Sequence, residues 1–137
     1  MPHTILIVDD NDSFRGMLST VLGDRGYNVL VARSGAAGLQ LAAEHPIDAA
    51  LVDVDMPEMD GFEFCRQLAA QDEASGRKVP VWIMTGVLQL GLNRKATAVG
   101  ALVVLRKPLN VEETCAQFER EFQQRDAAGS PPPPPSA

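Results

Sequence analysis

Apolar positions along the chain fall into two kinds of segment. Residues 5–8, 27–32, 49–52, 79–84 and 102–105 are short, mostly aliphatic runs. Between them, apolar residues return at the spacing of a helix face. Phe14, Met17, Leu18, Val21 and Leu22 fall at i, i+3, i+4, i+7 and i+8, which predicts an amphipathic helix. Asn11 or Asp12 can cap its start, and Gly26 follows its end. Ser34 can cap a second helix carrying Leu39 and Leu41, which must stop before Pro46. Residues 61–71 predict a third helix, with Phe62, Cys65, Leu68 and Ala69 on one side. Residues 88–99 predict a weaker fourth, interrupted by Gly91. A fifth starts at Asn110, has Glu113 placed for a capping box, and buries Val111, Cys115, Phe118 and Phe122. Pro80 suits the start of the fourth strand.

The order is strand then helix, five times. Aliphatic runs without polar alternation suit parallel strands covered on both faces. Right-handed crossovers then give a doubly wound, three-layer α/β sandwich. The 137 residues fit one domain, since domains commonly run ~100–150 residues. Residues 1–125 form that domain in this reading. Residues 126–137, with prolines at 131–135, form a Pro-rich tail or linker stub, because such a run takes extended polyproline and no packed helix. A ligand for proline-binding modules is the sharper reading of the same tract.

Charge sharpens the picture. Asp and Glu total 18 against 12 Lys and Arg, a net −6. Residues 1–60 hold 10 acids and 3 bases, while residues 61–137 hold 8 and 9. An acidic chain argues against direct nucleic-acid binding and against anionic membranes. Cys65 and Cys115 lie too far apart for zinc-type spacing and read as small core residues. His3 and His45 read as surface histidines. No run resembles a signal peptide or a membrane span. A cytoplasmic, soluble protein is the expectation.

In open α/β sheets, ligands bind beyond the carboxyl ends of the strands. Strand one ends in Asp9-Asp10, strand three in Asp53, strand four in Thr85 and strand five in Arg106-Lys107-Pro108. Three carboxylates, a hydroxyl and an ammonium therefore converge. Hard oxygen ligands without soft ones favour Mg²⁺ or Mn²⁺. Two carboxylates ~4 Å apart repel by roughly 4 kcal/mol at a surface-like dielectric, and a divalent cation relieves this. Lys107 suits phosphate as a mobile point charge, Thr85 can donate to a phosphoryl oxygen, and a carboxylate can itself become an aspartyl-phosphate. Arg106 reads as a solvated neighbour. Glu58 and Asp60 read as loop-shaping residues, and Met56 and Met59 as loop packing.

Val8-Asp9-Asp10, then Leu51-Val52-Asp53-Val54-Asp55-Met56-Pro57-Glu58-Met59-Asp60-Gly61, then Met84-Thr85-Gly86, then Lys107-Pro108, resemble the receiver domain of two-component response regulators. The resemblance spans about residues 4–125, and the loop after Asp53 carries its most specific motif. It implies a flavodoxin-like sheet in the order 2-1-3-4-5. It also implies that Asp53 accepts phosphate from a histidine kinase or phosphotransfer protein. Mg²⁺ would be held by Asp10, by Asp9 mainly through water, by Asp53 and by the backbone carbonyl of Asp55. Lys107 would pair with the phosphate, and Thr85 would move toward it. Pro57 and Gly61 would shape the loop, and the Lys107–Pro108 bond would be cis. Switching would act on the surface of helix four, strand five and helix five, for a downstream target, an output domain or a homodimer.

Three positions depart from or tune that pattern. Val104 stands where such domains carry an aromatic or His that swings inward, so the usual aromatic switch is not available. Gly86 leaves access to the phosphate beside Thr85. Asp55 adds a carboxylate near the acceptor. Leu88, Leu90, Leu92 and Val104 either form a dimerising surface or pack the fourth helix. Competing readings are a phosphatase resembling the haloacid-dehalogenase type, from Asp53-Val54-Asp55, and an interaction domain independent of phosphorylation. The acid pair precedes the Asp53 motif instead of following it, which opposes the phosphatase.

Overall fold

The structure, a computed structural model, describes residues 2–87 and 89–128. Strands β1 (Thr4–Val8), β2 (Asn28–Ala32), β3 (Ala49–Asp53), β4 (Val81–Thr85) and β5 (Val103–Arg106) alternate with helices. These are α1 (Asp12–Asp24), α2 (Gly35–Glu44), α3 (Gly61–Ser75), α4 (Leu92–Ala98) and α5 (Val111–Ala128). All strand pairs are parallel, in the order β2-β1-β3-β4-β5. The predicted doubly wound sheet is present.

Its uniform aliphatic runs conceal an alternation. Leu6, Val8, Ala50, Val52, Val81 and Ile83 join Phe64 and Leu68 in one core layer. Ile5, Ile7, Ala49, Leu51, Trp82 and Met84 join Leu18, Leu22, Phe118 and Phe122 in the other. Successive strand residues thus feed opposite faces, as the two-residue period demands, and both faces are apolar because both are covered. Trp82 meets Phe118 edge-on with centroids 4.8 Å apart. Its indole N–H donates to Gln117 at 2.8 Å, which satisfies a buried polar atom.

Caps follow the sequence closely. Asn11, not Asp12, caps α1 by accepting from the Phe14 amide at 2.8 Å. Ser34, Asp60 and Asn110 accept from Ala37, Glu63 and Glu113 amides respectively. Elsewhere the boundaries move. Helix α4 begins only at Leu92, because Gly91 sits at φ 84, a left-handed conformation that starts the helix afresh. The third helix extends from the predicted 71 to Ser75 and closes on a left-handed Gly76. Helix α5 runs through Ala128, past the expected domain boundary at 125. The proline tract and Leu88 lie outside the described residues. Of the remaining apolar set, Leu92 is buried and Val104 packs against the core, while Leu90 is exposed, so these residues do not form one surface. His3 also differs from expectation, stacking on Phe122 at 4.0 Å. Cys65 and Cys115 are buried free thiols, as expected. Among the described residues, no helix is long and apolar enough to cross a membrane.

Candidate functional site

Strand register builds the site. Val8 lies opposite Val52, so the next residues, Asp9 and Asp53, emerge side by side at adjacent strand ends. Val8 and Val52 share one core layer, so alternation sends Asp9 and Asp53 to the α1/α5 side. Leu105 belongs to that side too, and so does Lys107, two residues on. Strand β5 lies two strands from β3, roughly 10 Å away. Only a long side chain closes that gap.

Lys107 does so. Its Nζ lies 2.7 Å from Asp9 Oδ2 and 3.1 Å from Asp53 Oδ1. Asp9 is fully buried and Asp53 is 6% exposed. Asp9 Oδ1 also accepts from the Asn11 amide at 2.9 Å, while Asp10 is exposed. One carboxylate oxygen from each of Asp9, Asp10 and Asp53 falls within 4.8 Å of the others. Three carboxylates against one ammonium leave a negative excess, in an all-oxygen set with an open side at Asp10. That donor set fits a hard divalent cation. The Asp55 side chain is exposed and outside this cluster.

Burial, followed by the Asp9 charge, pushes the Asp53 carboxyl up to about 6, against the lowering pull of the Lys107 hydrogen bond. Burial works to lower Lys107, but its bonds to Asp9 and Asp53 outweigh that and hold it above the usual lysine value. The ammonium therefore stays charged at neutral pH and partly stands in for a cation.

Thr85 is placed differently. Met84 faces the α1/α5 layer, so Thr85 turns to the opposite side. Its buried Oγ1 donates to the Val87 carbonyl at 2.8 Å and accepts from the Val87 amide at 3.2 Å. Its carbonyl accepts from the Lys107 amide at 2.8 Å, which anchors the lysine's backbone. Gly86 is exposed, and a Cβ there would meet nothing within 4 Å. Arg106 is exposed, as read from sequence.

The loop after Asp53 is shaped by close approach. A Cβ on Gly61 would lie 2.6 Å from the Asp53 carbonyl oxygen, so only glycine lets α3 start against β3. The Gly61 amide donates to Val54 at 3.0 Å, and the Met59 amide to the Pro57 carbonyl at 2.8 Å. Between them Glu58 takes φ 71. The Lys107–Pro108 bond is cis, as the resemblance implied.

Sequence reasoning assigned no site role to two neighbours in the first turn of α1. Arg15 donates to the Asp9 carbonyl at 2.8 Å and pairs with Asp12. Phe14 lies under the Lys107 ammonium, with its ring centroid 4.3 Å from Nζ. The only signal available was their place three and four residues into a helix capped beside the acid pair.

Comparisons with known proteins agree with this geometry. Residues 5–119 match the response regulator receiver domain family. Response regulator MprA of Mycobacterium sp. (strain KMS) is 36% identical over 118 residues, covering 86% of this chain and 50% of MprA. The regulatory protein AtoC of Escherichia coli (strain K12) is 33% identical over 121 residues, covering 88% and 25% respectively. The chain thus spans about half the length of MprA or less of other such relatives. Among solved structures, Vibrio cholerae chemotaxis protein CheY4 superposes with a TM-score of 0.80 at 33% identity, covering 88% of this chain and 98% of CheY4. The family match sets the phosphatase reading aside. With the acid pair, Asp53 and Lys107 brought together on a 2-1-3-4-5 sheet, the chain belongs to the receiver domains of two-component response regulators.

Proposed function

We propose that Asp53 is the phosphoacceptor of this receiver, with Asp9, Asp10, Thr85 and Lys107 as its working partners. The observation that carries this is a buried carboxylate, beside a second buried carboxylate, held 3.1 Å from a lysine ammonium. One Asp53 oxygen attacks the phosphorus of a phosphohistidine on a histidine kinase or phosphotransfer protein. The P–O bond forms as the P–N bond breaks, the bonding pair returns to nitrogen, and the imidazole, already protonated on its other ring nitrogen, departs neutral. Asp10, Asp9 through water, Asp53 and the Asp55 carbonyl would hold Mg²⁺ or Mn²⁺. When bound, the ion neutralises carboxylate and phosphoryl charge. Lys107 exchanges a carboxylate for a phosphoryl oxygen. Thr85 gives up Val87 to donate to the same group. Self-phosphotransfer from small donors and autodephosphorylation use the same residues, without turnover of a separate substrate.

Val104, packed against the core, takes no part in an aromatic swing. The Thr85 rearrangement then biases the α4–β5–α5 surface, for a downstream target, an output domain or a second copy. Because α5 takes in residues 126–128, only residues 129–137 of the expected tail remain as a Pro-rich extension of the receiver, and the protein works in the cytoplasm. A radiolabelled phosphohistidine donor tests the acceptor directly. Label should pass to the wild type in Mg²⁺ and not to Asp53→Asn, and it should not pass in EDTA. Equal labelling of Asp53→Asn would overturn the assignment.

A further inference from the structure

Phe14 occupies a position the phosphoacceptor scheme leaves without a role. It sits three residues after the Asn11 cap of α1, so the cap fixes its place beside the acid pair. Its ring is half-buried and packs against the α1/α5 core layer. The same ring presents its face to Lys107 Nζ at 4.3 Å from the centroid. That ammonium is also within 2.7 Å of Asp9 and 3.1 Å of Asp53. Three fixed groups therefore confine one cation at the end of a flexible stem. The negative face of an aromatic ring attracts a cation electrostatically, and more strongly where water is partly excluded.

We propose that Phe14 is a positioning residue for phosphoryl transfer, acting through Lys107. The carboxylates change partners as the phosphoryl group arrives, but the ring does not. It keeps the ammonium close to Asp53 while Lys107 passes from carboxylate to phosphoryl oxygen, and it removes the rotamers in which a free lysine points into solvent. Lysine has a large rotamer entropy to lose, so part of the cost of ordering it is met before the donor binds. The effect belongs to the rate of transfer at saturating donor, not to capture of the donor. This inference rests on the assignment of Asp53 as acceptor.

The test measures phosphorylation of the intact chain by acetyl phosphate in Mg²⁺, read by intact mass against time at several donor concentrations. Phe14→Leu should lower the saturating rate about 2- to 5-fold, the size of a partly exposed cation–π contact, with little change in half-saturation. Phe14→Tyr and Phe14→Trp should retain the rate. Because Phe14→Leu also disturbs packing, a series of progressively fluorinated phenylalanines at position 14 separates the effects. Fluorine depletes the ring face while nearly preserving its shape, so the rate should fall stepwise at an unchanged melting temperature. A flat fluorination series, with wild type still phosphorylated at Asp53, overturns the role of Phe14 alone. Phosphate gained by Asp53→Asn, or none gained by wild type, overturns the acceptor assignment and this inference with it.

Discussion

Asp53 carries a stability signature that can be measured without any phosphodonor. Its carboxyl is pushed up to about 6 from an ordinary 3.8 by burial and by Asp9. Between those two values the folded state holds a proton that the unfolded state has released. Stability must then fall as pH rises, by about 1.4 kcal/mol per pH unit for one proton. The two-unit gap makes the contribution about 3 kcal/mol, fully present below pH 4 and lost once pH passes 6. Replacing Asp53 by Asn removes the titration. Lys107 stays protonated across this range, so its lost bond to Asp53 shifts the variant's stability by a constant. The informative quantity is the difference between variant and wild type. In EDTA, urea unfolding followed by Trp82 fluorescence should show Asp53→Asn gaining about 2–3 kcal/mol on wild type between pH 4 and pH 7.5. A difference that stays level across that range would refute the claim that Asp53 is desolvated and crowded by Asp9. Saturating Mg²⁺ should restore wild-type stability at pH 7.5 and help Asp53→Asn less.

Other consequences follow from single contacts. Lys107→Met leaves the fully buried Asp9 without its ammonium and should cost about 3 kcal/mol in EDTA. Part of that loss should return in Mg²⁺, as read by the urea midpoint. Gly61→Ala drives a Cβ to 2.6 Å from the Asp53 carbonyl. A loss of about 2 kcal/mol in chemical denaturation and slower phosphorylation should appear together. The exposed Asp55 should matter little to folding. Asp55→Asn should instead change the phosphoryl lifetime or the Mg²⁺ affinity a few-fold, the scale of an exposed charge contact; no change in either would remove Asp55 from the account.

Much of this was legible before the structure because buried parallel strands leave a plain mark. The runs at 5–8 and 49–52 announce their burial, and the topology of such sheets sends Asp9, Asp10, Asp53 and Lys107 to one end. The fourth helix was less legible. Leu88, Gln89 and Leu90 have good helix propensity, yet the left-handed Gly91 delays the helix to Leu92, and a weak propensity signal yields to local backbone geometry. Thr85 was placed correctly along its strand but not around it. Alternation turns its hydroxyl toward Val87, away from the face shared by Asp9 and Asp53. Phe14 was hidden by its own pattern. Its helical spacing assigned it to the core, which is true of one side of the ring, while the side against Lys107 depends on how α1 docks at the strand ends. Arg15 carries no signal in the sequence pattern, because its bond to the Asp9 carbonyl exists only through tertiary packing.

The central claim is that Asp53 accepts a phosphoryl group with help from a bound cation and Lys107. Intact-mass analysis of the chain after acetyl phosphate treatment in Mg²⁺, followed by peptide mapping of the modified carboxyl, tests it most directly. One phosphoryl group should be gained and should map to Asp53, with no gain in Asp53→Asn and none in EDTA. A gain that maps to another residue, or that survives the loss of Asp53, would contradict it.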